Sequence, residues 1–275
     1  MGHELPAFKL KVLGTRGSVP VEGKDFALYG GATSCYQVQA GNEEIYLDAG
    51  SGIFGAKPSP TSRIALLISH MHLDHLVGLP FFSALGETGR TIDIYSDKHT
   101  GLTVKEAIDR LISPPFWPIQ IENYPASVKF HDLSAIKERG AKFFIGEVAV
   151  NFMDSNHPNG STIYKLTRHG KSFVYATDFE HSSKSCAALA NFAKGCDLLM
   201  YDAQYTAAEY ETCKGYGHST VEFGLKVADE AGVAKLLFVH HAPNRTDAAL
   251  AAMEQEISAQ RAGVSFAKID EEIFL

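Results

Sequence analysis

The sequence predicts an α/β protein built as a helix–sheet–sheet–helix sandwich, with residues 1–275 forming a single domain. Short apolar or alternating segments, which are typical of strands, recur through the first half and again from residue 127 to residue 177. Helical patterns follow the second group of strands and alternate with further strands at 198–201 and 236–239. No linker, repeat or low-complexity segment divides the chain. Two strand-rich halves with helices outside them therefore fit one layered domain.

The elements follow from these patterns in chain order. Strands are expected at 8–13, 35–39, 44–47, 64–68, 91–95, 127–130, 142–145, 148–153, 162–167, 173–177, 198–201 and 236–239. Helices are expected at 101–111, 185–193, 220–230 and 247–259, with a further helix in the Leu-rich stretch up to Pro80. Ser219-x-x-Glu222 reads as a capping box, which places His218 at the start of a helix.

Composition and charge limit the classes of partner. Lys and Arg total 25 against 32 Asp and Glu, so the net charge is −7, and no basic cluster stands out. This argues against a long nucleic acid as partner but not against a small anionic substrate. Four cysteines without a CxxC pair, no leader in residues 1–9 and no apolar run of membrane-spanning length predict a cytoplasmic protein that contacts no membrane. A homodimer is left open.

The stretch from Ser69 to His75 is the densest concentration of chemical groups in the chain. It follows the apolar run at 64–68 and holds His70, His72, Asp74 and His75. Neutral imidazole and carboxylate are the ligands that borderline divalent metals take in catalytic sites. His70 and His72, at alternate positions of an extended segment, point the same way, and Asp74 and His75, one turn later, can face the same space from another angle. One short segment can therefore provide ligands for two metals.

Three later strands also end in His or Asp, and they complete two predicted metal sites. A strand-exit loop carries His157, and two further apolar strands deliver Asp178 and His240. His240 is chosen over His241 because it directly follows its strand. The ions are expected to be two divalent metals, with zinc favoured and manganese or iron(II) left open. The first metal is assigned to His70, His72 and His157, the second to Asp74, His75 and His240, and the bridge to Asp178.

Three other residues have two interpretations each. Arg16, in the glycine-punctuated loop at 14–18, either binds an anionic substrate or lies in a tight turn. Trp117, in the proline-rich loop at 114–118, either lines the substrate pocket as a lid or wall or packs on the domain edge. Asp48 follows a strand and precedes Gly50, so a role in capping the turn is favoured over metal ligation.

The motif His70-x-His72-x-Asp74-His75, with His157, Asp178 and His240 behind it, resembles the metallo-β-lactamase superfamily of dinuclear hydrolases. The resemblance implies an αββα sandwich of two packed mixed sheets with helices on the outer faces and the metals at one edge. The segments at 201–205 and 217–220 resemble the phosphodiesterase branch, which includes ribonuclease Z and cyclic-phosphate phosphodiesterases. In that branch, an acidic residue at the position of Asp202 orients a histidine at the position of His218, which protonates the leaving oxygen.

These features together predict a metal-dependent phosphodiesterase that acts on a small cyclic nucleotide or similar cyclic phosphodiester. Attack would come from a hydroxide between the metals, and the predicted catalytic residues are Asp74, Asp202 and His218. Three alternatives stay open: a ribonuclease Z-like enzyme that processes tRNA 3′ ends, a carboxylic-ester hydrolase of the lactonase or thioesterase type, and a non-catalytic metal-binding sensor.

Overall fold

A computed structural model describes residues 8–275, which form two seven-stranded sheets. The sequence predicts no leader in residues 1–9, of which residues 1–7 lie outside the described residues. That expectation therefore stays a prediction. Within 8–275, no helix is both long and apolar enough to span a bilayer.

The first sheet has the strand order β14-β1-β2-β3-β4-β5-β6. Strands β14, β1, β2 and β3 pair antiparallel, whereas β3 to β6 pair parallel. The strand bounds are β1 Phe8–Gly14, β2 Cys35–Ala40, β3 Glu43–Leu47, β4 Arg63–Leu67, β5 Thr91–Ser96, β6 Ser127–Asp132 and β14 Glu272–Phe274.

The second sheet has the order β13-β12-β11-β10-β9-β8-β7. Here β10 to β13 are parallel, and β7 to β10 form an antiparallel meander. The strand bounds are β7 Lys142–Ile145, β8 Val148–Ser155, β9 Ser161–Arg168, β10 Lys171–Ala176, β11 Leu198–Asp202, β12 Lys235–Val239 and β13 Val264–Phe266.

Three layers of apolar side chains hold the sandwich together. The middle layer lies between the sheets, where Leu10 and Val38 of the first sheet share a cluster with Val150 and Phe173 of the second. The outer layers pack helices and 3-10 turns onto each sheet. The helices are α1 Val104–Leu111, α2 Ser134–Lys137, α3 Ser183–Ala193, α4 Ala207–Cys213, α5 Val221–Ala231 and α6 Asp247–Gln260. The predicted αββα sandwich of two mixed sheets is therefore confirmed.

The differences from the sequence predictions lie mostly at element ends. The Leu-rich stretch up to Pro80 forms separate 3-10 turns rather than an α-helix. Helix α1 begins three residues later than expected, because Thr103 and Glu106 close a capping box ahead of Val104. Helices α2 and α4 and strands β13 and β14 were not predicted, since each is short and lacks a clear hydrophobic period.

Candidate metal centre

The site forms where strand ends of both sheets meet. Asp48 follows β3, Asp178 lies two residues after β10, and His240 follows β12. All three residues adopt left-handed backbone conformations, with φ of 60°, 50° and 60° respectively. Such conformations cost free energy in non-glycine residues and concentrate where the fold must aim a side chain at a functional site.

The first set of predicted ligands, the three-histidine group, consists of His70, His72 and His157. The Nδ1 atom of His72 lies 3.3 Å from Nε2 of His157. The His70 ring stands edge-on to both, with centroids 4.3 Å from His72 and 4.8 Å from His157. Sequence positions far apart therefore converge on one small volume.

The second set, the aspartate group, consists of Asp74, His75 and His240. The Oδ2 atom of Asp74 lies 3.3 Å from Nε2 of His75 and 3.3 Å from Nε2 of His240. The two imidazole rings stack with their centroids 5.4 Å apart. His241 lies elsewhere, because its Nε2 bonds the main-chain oxygen of Ala267 at 3.0 Å. His240, not His241, therefore joins the cluster.

Asp178 lies between the two groups and presents one oxygen to each. Its Oδ1 is 3.6 Å from Nε2 of His70 and 3.7 Å from Nε2 of His157. Its Oδ2 is 3.1 Å from Nε2 of His75 and 3.4 Å from Nε2 of His240. This is the placement that a bridging carboxylate requires.

The two groups differ in protonation. Burial lowers the pKa of His70, His72 and His157, so these imidazoles are neutral near pH 7. Burial also opposes the charged form of His240, but Asp178 and the other facing carboxylates raise its pKa to about 9. In His75 the carboxylates likewise outweigh burial and raise the pKa well above its ordinary value.

A second layer of hydrogen bonds orients the ligand rings. Asp48 Oδ2 accepts from Nδ1 of His75 at 2.7 Å, which turns Nε2 of that ring toward the cluster. The same oxygen accepts from Tyr175 at 2.7 Å, and Oδ1 accepts the amide of Ser69 at 2.6 Å. Asp48 therefore has a structural role, as predicted, but it supports a predicted ligand histidine, His75, rather than its own turn.

The cluster suits metal ions by its donor chemistry. The nitrogen and oxygen atoms of His70, His72, His157 and Asp178 lie within 4.8 Å of one another, as do those of Asp74, His75 and His240. Nε2 of His70 and Nε2 of His75 are buried without a hydrogen bond among the described residues. Buried polar atoms normally have partners, so unpaired nitrogens aimed at carboxylates fit a cation between them.

The predicted catalytic pair stands beside the aspartate group. Nδ1 of His218 lies 2.8 Å from Oδ2 of Asp202, and its ring stacks on that of His240 with centroids 4.9 Å apart. Asp202, at the end of β11, is fully buried. With Nδ1 bonded to Asp202, Nε2 of His218 is the nitrogen left for other chemistry.

The predicted capping box at Ser219 and Glu222 is wrong. Helix α5 begins at Val221, its N-cap is Thr220, and the cap makes no side-chain hydrogen bond. The Ser219 hydroxyl instead bonds Tyr201 at 2.7 Å and Nδ1 of His181 at 2.9 Å. His218 accordingly lies in the loop ahead of α5, with its orientation set by Asp202.

Arg16 lies in the protein interior, which favours its tight-turn interpretation over the predicted substrate binding. Its side chain is 0% exposed. Nε donates to the main-chain oxygen of Gly30 at 2.6 Å, and Nη1 donates to those of Ala242 and Arg245 at 3.1 and 2.7 Å. The guanidinium therefore fastens the loop after β1 to the loop after β12, which carries His240.

Trp117 packs on the domain edge, which is the second of its two interpretations, and not over the site as a lid or wall. Its indole N–H donates to the hydroxyl of Tyr124 at 2.8 Å, and its ring meets Phe81 edge-on at 5.0 Å. It packs on the apolar layer outside the first sheet. The hydrogen bond and the ring contact together fix the indole at the domain edge.

Two residues that support the site were not predicted from sequence. The Ser18 amide donates to Oδ2 of Asp74 at 2.7 Å, so the glycine-punctuated loop at 14–18 contacts the site. The Glu180 carboxylate accepts the amides of Gly215 and Gly217 at 2.6 and 3.0 Å, while the Gly217 oxygen accepts Nδ1 of His157 at 2.8 Å. Main-chain partners carry no sequence pattern, so only the spacing of Glu180 two residues after Asp178 hinted at a role.

Comparisons with known proteins agree with this architecture. Ribonuclease Z of Picrophilus torridus is 24% identical over 282 residues, which cover 87% of this chain and 87% of that protein. The metallo-β-lactamase fold protein YhfI of Bacillus subtilis superposes with a TM-score of 0.74 at 20% identity, covering 98% of this chain and 100% of that one. The short form of human tRNase Z superposes with a TM-score of 0.68 at 17% identity, covering 96% and 98%.

A sequence profile, described as the beta-lactamase superfamily domain, matches residues 43–241. The matched residues span β3 to His241 and so include every predicted metal ligand. The His/Asp clusters at the sheet edge suit metal binding in this fold. The chain therefore belongs to the beta-lactamase superfamily and is a hydrolase with the metallo-β-lactamase fold.

Proposed function

We propose that the protein is a dinuclear metal-dependent phosphodiesterase that acts on a small phosphodiester, such as a cyclic nucleotide. The observation that carries the proposal is the 2.8 Å contact between His218 and Asp202 beside the aspartate group. Ester hydrolysis with a poor leaving group needs a positioned acid, and phosphodiesters with sugar alkoxide leaving groups are such substrates. An active site for substrates with good leaving groups gains less from a positioned acid.

The proposed ligands are His70, His72 and His157 for one ion, Asp74, His75 and His240 for the other, and Asp178 for both. When bound, two divalent ions supply an ionised water nucleophile at neutral pH and positive charge for the phosphoryl oxygens. Asp202 holds the Nδ1 proton of His218, so Nε2 can deliver a proton to the departing oxygen. Asp48 and Glu180 fix the rings of His75 and His157, directly in the first case and through Gly217 in the second.

The electrostatic balance favours a small substrate. The net charge of −7 opposes a polyanion, whereas a single phosphodiester is drawn to the charge of the ions themselves. Arg16, the one cation predicted to meet substrate, is instead committed to main-chain oxygens. Specificity would then come from neutral groups around the ions.

Ribonuclease Z-like cleavage of precursor tRNA is the second candidate. The name of the relative from Picrophilus torridus favours it, since the two chains align over 87% of each. The acidic net charge weighs against it, because affinity for a structured RNA depends mainly on phosphate contacts from basic residues.

A single substrate panel tests both candidates. Protein reconstituted with Zn²⁺ or Mn²⁺ is assayed on bis(p-nitrophenyl) phosphate, on 2′,3′- and 3′,5′-cyclic nucleotides, on precursor tRNA and on a lactone. We expect metal-dependent turnover of phosphodiesters with a higher kcat/KM for cyclic nucleotides than for precursor tRNA.

Three results would contradict the proposal. Preferred cleavage of precursor tRNA at its 3′ end would establish the second candidate. Turnover of the lactone alone, unaffected by His218→Ala, would indicate a carboxylic-ester hydrolase. Binding of less than one metal per chain, with no turnover, would indicate a sensor.

A further inference from the structure

A cleft beside the three-histidine group has no role in the chemistry described above. It is lined by His70 and His72 and by residues of the segment after β5, including His99 and Leu102. Asn159 and Gly160, in the turn between β8 and β9, also line it. We call it the His99 cleft. A group inside it would lie next to the first metal position.

The fold holds His99 in a defined position in this cleft. Its Nε2 lies 2.8 Å from the hydroxyl of Thr162, at the start of β9. A side chain at Gly160, where φ is 80°, would overlap the ring of His99, so glycine makes room for the imidazole. Nδ1 of His99 has no hydrogen-bond partner among residues 8–275. Burial lowers the pKa of His99, which keeps the ring neutral near pH 7.

The charges near the cleft disfavour a second anion. Asp97, on the cleft wall, accepts from Ser134 at 3.0 Å and pairs with Lys137 at 3.1 Å. The same ammonium also pairs with Asp154, so one cation serves two carboxylates. Glu138 and Lys98 also line the adjoining depression, where three carboxylates therefore outnumber two ammonium groups. Lys137 takes the place that a cation would need between Asp97 and Asp154, which argues against a third metal there.

The remaining lining suits a neutral ring with polar edges. Met71 and Leu102 supply apolar surface, while His99, Thr100 and Asn159 supply hydrogen-bonding groups. Small-molecule subsites typically combine these two features, with a few polar groups that fix orientation. His218 stacks on His240 of the aspartate group, so the leaving oxygen belongs on that side. The ester group that stays on phosphorus belongs on the other side; in a cyclic nucleotide one sugar carries both ester oxygens, and its nucleobase would extend to that side.

We infer that the His99 cleft binds the nucleoside retained on phosphorus, and that it selects an uncharged nucleoside over one carrying another phosphate. This inference rests on the proposed phosphodiesterase activity. It restricts the substrate to mononucleotide esters and disfavours a continuing RNA or DNA strand on this side of the scissile phosphate.

Three substrates with the same leaving group test it. Methyl p-nitrophenyl phosphate retains a methyl group, thymidine 5′-p-nitrophenyl phosphate retains a nucleoside, and the 3′-phosphorylated form of the latter retains an extra phosphate. For the wild type we expect a KM about tenfold lower for the thymidine ester than for the methyl ester, as one or two hydrogen bonds would provide. The added 3′-phosphate should raise the KM again, to a value close to that of the methyl ester.

Two variants and one control assign the effect to the cleft. His99→Leu keeps the volume of the side chain, and Asn159→Gly keeps the left-handed turn, where φ is 64°. Each should raise the KM for the thymidine ester severalfold and leave the methyl ester unchanged. His131→Leu alters a partly exposed histidine on β6 that stacks on Tyr95 outside the cleft, and it should change neither substrate. Calorimetry of thymidine 5′-monophosphate binding should show the same ranking without turnover.

The outcomes distinguish failure of the proposed phosphodiesterase function from failure of the proposed nucleoside subsite. If no ester is hydrolysed by metal-loaded wild type, the proposed function fails and the inference falls with it. If all three esters are hydrolysed with equal KM, or His99→Leu and Asn159→Gly change all three equally, the phosphodiesterase proposal stands and the His99 cleft is not the nucleoside subsite. A lower KM for the 3′-phosphorylated ester would overturn the charge argument and favour a longer strand.

Discussion

The three-histidine group and the aspartate group share Asp178 but differ in charge and support. The first consists of neutral imidazoles, and two of them, His70 and His72, line the His99 cleft. The second holds a carboxylate and two fully buried histidines, with Asp48 directly behind His75. Under the proposed function, this difference leads us to expect that the aspartate group anchors its metal and that the three-histidine group faces the substrate.

The largest effect is expected from removing what the two groups share. Asp178→Ala deletes one oxygen facing each group, so it should impair both metal positions and lower kcat/KM for phosphodiesters on the order of a thousandfold. Metal analysis of the purified variant should show fewer than two ions per chain. The exposed Asp25 offers a control, since Asp25→Ala should retain full activity. Retention of two ions by Asp178→Ala would contradict the bridging role.

The next effect concerns the proton donor on the aspartate side. His218→Ala should lower kcat for 2′,3′-cyclic nucleotides by about 10²- to 10⁴-fold, because a sugar alkoxide needs a proton to depart. The loss on bis(p-nitrophenyl) phosphate should be much smaller, because p-nitrophenolate leaves without one. Asp202→Asn should act in the same direction, since the amide no longer accepts the Nδ1 proton in the same way. Equal losses on both substrates would point to a structural or ligand role for His218.

A smaller, one-sided effect is expected from the residue behind His75. Asp48→Asn replaces the carboxylate that holds Nδ1 of His75 at 2.7 Å. Changes to such supporting partners typically cost about 10- to 100-fold in metal affinity. The more weakly bound of the two metals should be the one at the aspartate group, as competition with a chelator followed by spectroscopy of a Co²⁺-substituted protein can show. Equal weakening of both metals would remove the proposed distinction.

The smallest effect is a difference in proton release. In the metal-free protein the pKa of His240 is raised from 6.5 to about 9, so its charged form stabilises the fold fully below about pH 6.5 and this contribution is lost as the pH rises through about 9. A metal binds only the neutral ring, so filling the aspartate group near pH 7 should release protons. The three-histidine group, whose histidines have lowered pKa values and are already neutral, should release fewer protons, because none comes from its imidazoles.

Calorimetric titrations in two buffers of different ionisation enthalpy would measure these protons. Two variants provide a matched pair. His157→Ala disables the three-histidine group, so that binding at the aspartate group is measured, and His240→Ala does the reverse. Proton release of the same size from both variants would show that the charge difference between the groups is not retained.

Much of the fold and of the cluster followed from the sequence, because apolar strand patterns and strand-end His and Asp residues are local signals. The supporting interactions did not follow. Glu180 acts on main-chain amides, Arg16 on main-chain oxygens, and Ser18 through its own amide, so their partners are set by tertiary packing. Arg16 and Trp117 were considered for substrate binding because of their glycine-punctuated and proline-rich loops, but Arg16 is buried against main-chain oxygens and Trp117 packs on the apolar layer outside the first sheet.

The proposed function requires that two metals, one in each group, act together on a phosphodiester. Stepwise addition of Zn²⁺ to chelator-treated protein, with hydrolysis of bis(p-nitrophenyl) phosphate followed at each step, tests it most directly. We expect activity to rise until two equivalents are bound and to stay constant beyond that point, and we expect His72→Ala and His240→Ala each to bind about one equivalent with little activity. Full activity at one equivalent, or turnover that does not depend on metal, would contradict it.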